Sequence, residues 1–218
     1  MANRLLSYDQ PEFKDMECWQ QYFDWKIKST NYGREYDTAF MAFLRISLSR
    51  PRDIQRILKI LQDLMKRKNL GDKSTFDVDV YLSNEFQNAY SEYFLSSLKD
   101  QLAFYYTEED YKFFTKFFDY FPKARFTYRE YLEIYEKYTD YILSSANEIP
   151  KFVEDPKAFL QMLYDSNVIA ATEDDGAFFH FSYREKSPTN ISPEVPFDEK
   201  TTYRFHYGLY KKAKFGRF

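Results

Sequence analysis

Hydrophobic residues recur every three or four positions between about 34 and 166, the spacing that places them on one face of a helix. The segment 52–68 shows this most clearly, because its apolar side chains form one stripe and its cationic side chains fall on the opposite face. The predicted stripe consists of Ile54, Ile57, Leu58, Leu61, Leu64 and Met65. Further helices are predicted over about 34–48, 83–105, 107–121, 127–144 and 156–166.

Capping residues mark the starts of three of these helices. Thr107 precedes three acidic residues, and acids are favourable in the first turn of a helix. Thr127 and Glu130 have the spacing of a capping box, in which each side chain binds the backbone N–H of the other residue. Asp155 precedes Pro156, and proline suits the first helical position because an N–H there would have no helical partner. We therefore expect a helix to begin directly after each cap.

The periodicity changes in the last quarter of the chain. Two short apolar runs are separated by an Asp-Gly pair, which is a strong signal for a hairpin. A third strand-like run follows an extended loop that contains Pro188, Pro193 and Pro196. We therefore expect strand only between about 168 and 207, in three segments: 168–172, 177–183 and 202–206.

Helices followed by a hairpin are typical of a winged helix-turn-helix domain. The predicted fold class is therefore mainly α, with a helical bundle followed by a winged helix-turn-helix-like domain that holds a small β-hairpin or sheet. We place the helical, lid-like domain at 1–106 and the winged-helix-like domain at 107–218, where it ends in a basic C-terminal tail.

Composition is consistent with a folded chain whose core is unusually aromatic. Of the 218 residues, 23 are Phe, 21 are Tyr and 2 are Trp. At helical spacing these rings are expected to form the core rather than to stack on nucleic-acid bases. Only five glycines are present, too few for the repeated glycine-rich turns of doubly wound nucleotide-binding enzymes.

Few residues are of the kinds that catalysis or metal binding requires. The one cysteine, Cys18, excludes an internal disulfide and a Cys-rich zinc site. His180 and His206 could lie on neighbouring strands, but we interpret them as hydrogen-bonded strand histidines rather than as a two-histidine metal site. The string Gly71–Ser74 lacks the Gly-Lys pair and the preceding strand of a phosphate-binding loop. We therefore predict a protein that is not an enzyme, with no catalytic residue, no metal site and no cofactor.

The sequence also lacks signals for a membrane. No run of about 18 apolar residues is present, which predicts no transmembrane helix. The first residues lack the apolar core of a signal peptide. We expect a cytoplasmic protein with no membrane partner.

Positive charge is concentrated in the segment 45–68. It holds eight basic residues against Asp53 and Asp63, a net charge of +6, whereas the whole chain has a net charge of −3. Two interpretations stay open: a solvated helix face, or a surface that binds an anionic partner. The candidate anion-binding or partner-binding residues are Arg50, Arg52, Arg56, Lys59, Lys66 and Arg67.

The segment 49–54 (Ser-Arg-Pro-Arg-Asp-Ile) resembles the Arg-Pro-Arg-Asp-Leu motif of a bacterial family of P-loop ATPases, the FunZ-like proteins related to the AAA and STAND classes. The ATPase core of that family, with its phosphate loop and magnesium-binding strand, has no counterpart in this chain. The chain therefore resembles only the lid and the C-terminal part of such a protein. Four further segments resemble the family in the same order: 89–95, 159–169, 179–184 and 205–209.

This resemblance implies a non-catalytic regulatory or interaction module of a defence or mobile-element system. The implied partner is a protein, either an ATPase subunit or another copy of the chain. The resemblance also implies a sensor role for Arg50 and Arg52 towards a nucleotide held by another chain.

The alternative function is DNA binding through the winged helix. The third helix of such a domain normally enters the major groove. Here that helix, at 156–166, carries one cation, Lys157, and the predicted wing tip is acidic at Glu173, Asp174 and Asp175. These acids would repel phosphates, so nucleic acid is the second choice of partner.

Overall fold

The computed structural model describes residues 22–23, 25–28, 36–103, 105–146, 148–173, 178–186, 189–190 and 193–214. This part of the chain is mainly helical and carries two small antiparallel sheets. The chain divides into two compact units, Met1–Tyr90 and Ser91–Phe218. The division falls inside a continuous helix, Asn84–Leu102, whereas the sequence places its domain boundary at about 106.

The first unit begins, within the described residues, with a short two-stranded ladder in which Ile27 lies opposite Asp37. The expectation of a helix from residue 34 and of strand only after residue 168 is therefore wrong. Thr38 ends the second strand and caps the following helix by accepting a hydrogen bond from the Met41 N–H at 3.4 Å. The elements are β1 (Lys26–Lys28), β2 (Tyr36–Thr38), α1 (Ala39–Ile46), α2 (Pro51–Arg67), α3 (Val78–Leu82) and the start of α4 (Asn84–Leu102).

Aromatic rings form the core of the first unit. The buried Phe43 ring lies 5.3 Å from Phe23, 5.9 Å from Trp25 and 5.5 Å from Tyr81, measured between ring centroids. The Tyr81 hydroxyl donates to the Ala42 carbonyl at 3.3 Å, so this polar atom is satisfied inside the core. These contacts tie α1 and α3 to the segment that precedes β1.

The second unit contains a four-stranded antiparallel sheet in the order β3-β6-β4-β5. The predicted hairpin strands do pair, with Ala171 opposite His180, while their turn at 174–177 lies outside the described residues. The short strand β3 was not predicted; it forms because Phe126 pairs with Tyr203, which is distant in sequence. After the rest of α4, the elements are α5 (Glu108–Phe117), β3 (Arg125–Thr127), α6 (Tyr128–Ser145), α7 (Pro156–Asp165), β4 (Ile169–Glu173), β5 (Phe178–His180), α8 (Ser182–Glu185) and β6 (Thr202–Phe205).

The three predicted helix caps of the second unit are confirmed. The hydroxyl oxygens of Thr107 and Thr127 each accept a hydrogen bond, at 3.2 Å, from the backbone N–H of the residue three positions later. In return, Asp110 and Glu130 each accept from the backbone N–H of the capping threonine at 2.8 Å. Asp155 accepts from the first N–H groups of α7. Local sequence therefore determines where these helices begin.

Buried tyrosines connect the helices of the second unit to distant backbone. The Tyr138 hydroxyl on α6 donates to the Phe113 carbonyl on α5 at 2.8 Å, and the Tyr131 hydroxyl donates to the Pro156 carbonyl at 2.6 Å. Burial raises the pKa of both tyrosines. Each hydroxyl thus has a hydrogen-bond acceptor inside the core, and both rings pack against Phe117. The Phe117 ring lies 5.0 Å from the Tyr138 ring, measured between centroids.

We expect Tyr138→Phe to lower the free energy of unfolding by about 1 kcal/mol, because it removes the hydrogen bond to the Phe113 carbonyl and leaves the ring in place. Urea-induced unfolding measures this change. The matched control is Tyr128→Phe on the same helix, since no hydrogen-bond partner of the Tyr128 hydroxyl lies within the described residues. Equal losses in the two variants would show that the Tyr138 hydrogen bond contributes nothing.

Candidate functional site

Helix α2 has the amphipathic character that its sequence predicts, with a small rotation of the apolar stripe. Ile54 and Leu58 are half-buried, and Ile60 is buried in their place. The buried side chains are Asp53, Ile57, Ile60, Leu61, Leu64 and Met65. The exposed cations on the opposite side are Arg52, Arg56, Lys59, Lys66 and Arg67, and these five residues are called the basic face below.

Arg50 does not belong to the basic face, because it binds the buried carboxylate of Asp53. Its Nε donates to Asp53 Oδ2 at 2.9 Å and its Nη2 donates to Asp53 Oδ1 at 2.9 Å. The Leu48 backbone N–H donates to the same Oδ2 at 3.1 Å, and Asp53 is only 1% exposed. A carboxylate this deeply buried is costly unless its oxygens are hydrogen-bonded and its charge is paired, and these contacts do both.

Segment 47–53, called the Asp53 junction below, turns the chain sharply between α1 and α2. Ser49 adopts a positive φ of 56°, and its N–H donates to the Ser47 hydroxyl oxygen at 3.2 Å. Pro51 then supplies the first residue of α2. The Arg-Pro-Arg-Asp string therefore has a local structural role at its first arginine and at its aspartate. Sequence reasoning missed this role, although Arg50 and Asp53 are three residues apart, a spacing at which opposite charges can pair.

The basic face extends along most of α2. From Arg52 to Arg67 the helix rises by about 22 Å, at about 1.5 Å for each residue. Asp63 lies on the same side and pairs with Lys59 at 3.0 Å, which leaves a net charge of +4 on this surface. Within the described part of the chain, no ion pair involves Arg52, Lys66 or Arg67. Because the other side of the helix is buried, these cations lie where a partner can reach them.

A cleft of about 290 Å³ lies beside the C-terminal turns of α2, and it is called the Lys66 cleft below. The cleft is lined by three of the four residues of the string Gly71–Ser74, which lacks the features of a phosphate-binding loop. In the structure this string follows helix α2 rather than a strand. Lys73 Nζ lies 2.8 Å from Asp77 Oδ2. This contact, together with the hydrogen bond that Asp77 accepts from the Asp79 N–H, holds the pKa of Asp77 below its ordinary value. The lining residues are Tyr22, Gln62, Met65, Lys66, Gly71, Lys73, Ser74, Thr75 and Phe76.

The second unit has a cavity of about 540 Å³ between α4, α5 and the segment that follows β6. Its charged groups are already paired: Lys212 with Glu92 at 2.7 Å, and Lys99 with Glu108 at 3.1 Å. The Tyr111 hydroxyl donates to the Leu95 carbonyl at 2.8 Å, and burial raises the pKa of Tyr111 to about 12. This cavity therefore offers neither an unneutralised charge nor a proton donor suited to neutral pH.

The two histidines do not form a metal site. His180 lies on β5 and His206 directly follows β6, and β4 separates these strands, so the expectation that they could be neighbours is wrong. His206 is buried against Phe94 at 4.6 Å, and its Nδ1 accepts from the Gly208 N–H at 3.1 Å. Among the described residues, no group of His, Cys, Asp and Glu could hold a metal ion. Cys18 lies outside them.

We expect Arg50→Lys to lower the free energy of unfolding by about 1–2 kcal/mol, since a lysine cannot bind both oxygens of the buried Asp53 carboxylate. Arg52→Lys, two residues away on the basic face, should change it by less than about 0.5 kcal/mol. Thermal or urea-induced unfolding of the two variants distinguishes these roles. If both substitutions are equally tolerated, the Asp53 junction does not depend on the two-point contact.

None of the helices in the described ranges is both long and apolar enough to cross a membrane. Comparison with models of protein families, with curated proteins and with solved structures finds no match to this chain. The likeness to the FunZ-like ATPases therefore depends on the motif residues alone.

Proposed function

We propose that this chain is a non-catalytic interaction module that binds an acidic surface of a partner protein through the basic face of α2. The observation that carries this proposal is the alignment of five exposed cations along about 22 Å of one helix, in a chain whose net charge is −3. Surfaces of one charge sign steer a partner of the opposite sign and increase the rate of association.

The placement of the individual charges supports binding over simple solvation. Arg52 lies in the first turn of α2, where the helix dipole makes a cation mildly unfavourable, so it does not serve the stability of the helix. The Lys59–Asp63 pair is exposed on both sides, and such pairs contribute only about 0–1 kcal/mol. A partner carboxylate can therefore replace Asp63 at little cost.

Two kinds of partner fit this surface. The resemblance to FunZ-like proteins implies an ATPase subunit, and a nucleotide held by that subunit would then face Arg52. A second copy of the chain also fits, because the residues outside the basic face are acidic in sum. With Arg50 bound to Asp53, Arg52 is the only one of the two motif arginines that we assign to partner contact.

DNA binding is the second candidate function, and one observation favours it. The element order α5-β3-α6-α7-β4-β5-α8-β6, with β6 paired to both β3 and β4, supports a winged-helix interpretation of the second unit. In that interpretation α7 would enter the major groove.

Contacts of α7 with the loop before β6 weigh against this candidate. Gln161 Nε2 donates to the Pro193 carbonyl at 3.0 Å, and Gln161 Oε1 accepts from the Val195 N–H at 2.8 Å. The cation of Lys157 lies 5.6 Å from the centre of the Phe197 ring. One side of α7 is therefore covered by the chain itself, and we rank an acidic protein surface above duplex DNA.

We expect Arg52→Ala/Arg56→Ala/Lys59→Ala to leave folding nearly unchanged and to weaken binding of a 20-residue polyglutamate probe at least tenfold at 50 mM salt. The loss should shrink at 300 mM salt, because exposed charges are screened over less than about 10 Å there. Fluorescence anisotropy of the labelled probe measures both affinities.

The control removes the same charge from the second unit, with Lys112→Ala/Arg129→Ala/Lys137→Ala, all exposed residues. This variant should bind the probe within twofold of the unchanged protein. If the α2 variant folds and binds as tightly as the unchanged protein at low salt, the basic face is merely solvated. Duplex DNA binding that is lost in Lys157→Ala but kept in the α2 variant would instead favour the second candidate.

A further inference from the structure

The Lys66 cleft has a supply of hydrogen-bond donors that the fold does not use. In the loop 71–76, the Lys73 N–H donates to the Leu70 carbonyl and the Phe76 N–H donates to the Tyr22 carbonyl. Within the described residues, the N–H groups of Gly71, Ser74 and Thr75 have no acceptor. Gly71 and Ser74 are exposed and Thr75 is half-buried, so a ligand that carries hydrogen-bond acceptors can reach these N–H groups.

Charge in the cleft points to an anion. Lys66 and Lys73 both line the cleft, and none of the nine lining residues is acidic. Asp77, outside the lining, already neutralises Lys73 at 2.8 Å, so Lys66 is the lining cation that has no ion pair among the described residues. Asp72 is exposed and also lies outside the lining. The side chains of Ser74 and Thr75 add hydroxyl donors. Ammonium, hydroxyl and backbone N–H groups together are the donor set that phosphate oxygens accept from.

Aromatic side chains also line the cleft. Tyr22 and Phe76 are half-buried and line the cleft. The Phe76 ring is fixed by parallel stacking on Phe23, with centroids 4.8 Å apart and planes 4° apart. A cleft lined by both aromatic rings and a cation suits a ligand that has a ring and a phosphate. The volume of about 290 Å³ lies at the small end of the range for ligand cavities and holds about one mononucleotide.

We propose that the Lys66 cleft binds a small phosphate ester with an aromatic ring, of the size of a mononucleotide. The phosphate lies towards Lys66, Ser74 and Thr75, and the ring lies against Tyr22 and Phe76. This site shares only Lys66 with the basic face, and Arg52, Arg56 and Lys59, which the partner test changes, lie outside the cleft. The two proposals can therefore fail independently.

Calorimetric titration with AMP, adenosine and inorganic phosphate tests the proposal on the full chain. We expect saturable binding of one AMP, binding of adenosine at least fivefold weaker, and competition by phosphate at higher concentration. Adenosine that binds as tightly as AMP would show that the phosphate is not recognised. Absence of saturable AMP binding would overturn the proposal outright.

Two neighbouring cations on α2 provide the matched variants. Lys66→Ala should weaken AMP binding at least fivefold, whereas Arg67→Ala removes the same charge from a residue outside the cleft and should change it less than twofold. Ser74→Ala, which leaves every charge in place, should also weaken AMP binding without altering adenosine binding. Equal losses in Lys66→Ala and Arg67→Ala would show only a general attraction of anions to the helix. The Arg52→Ala/Arg56→Ala/Lys59→Ala variant should retain AMP binding, so loss of the partner contact leaves this result intact.

Discussion

Asp53 is buried at the start of α2, and both of its carboxylate oxygens are held by Arg50 while one also accepts the Leu48 N–H. This one contact constrains the first unit, because a carboxyl group at that depth is tolerated only when its oxygens have such partners. The contact spans the turn at Ser49, from which α2 begins at Pro51. The apolar stripe of α2 then packs inward, and the basic face is left outward as a consequence. The two arginines of the Arg-Pro-Arg-Asp motif therefore have different roles. Arg50 stabilises the turn by binding Asp53, whereas Arg52 is exposed to a partner.

The aromatic composition has a different consequence in the second unit. A core of this kind would bury many tyrosine hydroxyls without partners, and each would cost about 1–3 kcal/mol. Tyr131, Tyr135 and Tyr138 avoid this cost by donating to the carbonyls of Pro156, Val153 and Phe113. Three hydroxyls on one helix thus connect α6 to α5 and to the start of α7. These three tyrosines therefore have a structural role, as their helical spacing predicts.

Local signals could be read from the sequence, and contacts between distant residues could not. The caps at Thr107, Thr127 and Asp155 and the limits of α2 were predicted because each depends on residues within one or two turns. The strands β1, β2 and β3 were missed because three residues are too few for an alternating pattern, and β3 pairs with a strand that is distant in sequence. The exposed cations of the candidate site were predicted from helical spacing alone. Arg50 was misjudged, because only the fold shows that Asp53 is buried, and the Lys66 cleft depends on Tyr22 reaching a loop over 50 residues later in the chain.

The most direct measurement of the partner contact is a side-chain NMR titration of the isotope-labelled chain with the polyglutamate probe, following arginine Nε–H and lysine Nζ signals at 50 mM salt. If α2 carries the contact, the signals of Arg52, Arg56 and Lys59 shift together and saturate, while the Arg50 Nε–H signal stays in place because Asp53 already occupies it. If the largest shifts instead come from Lys157 and Arg204 in the second unit, with α2 unchanged, the basic face is not the binding surface.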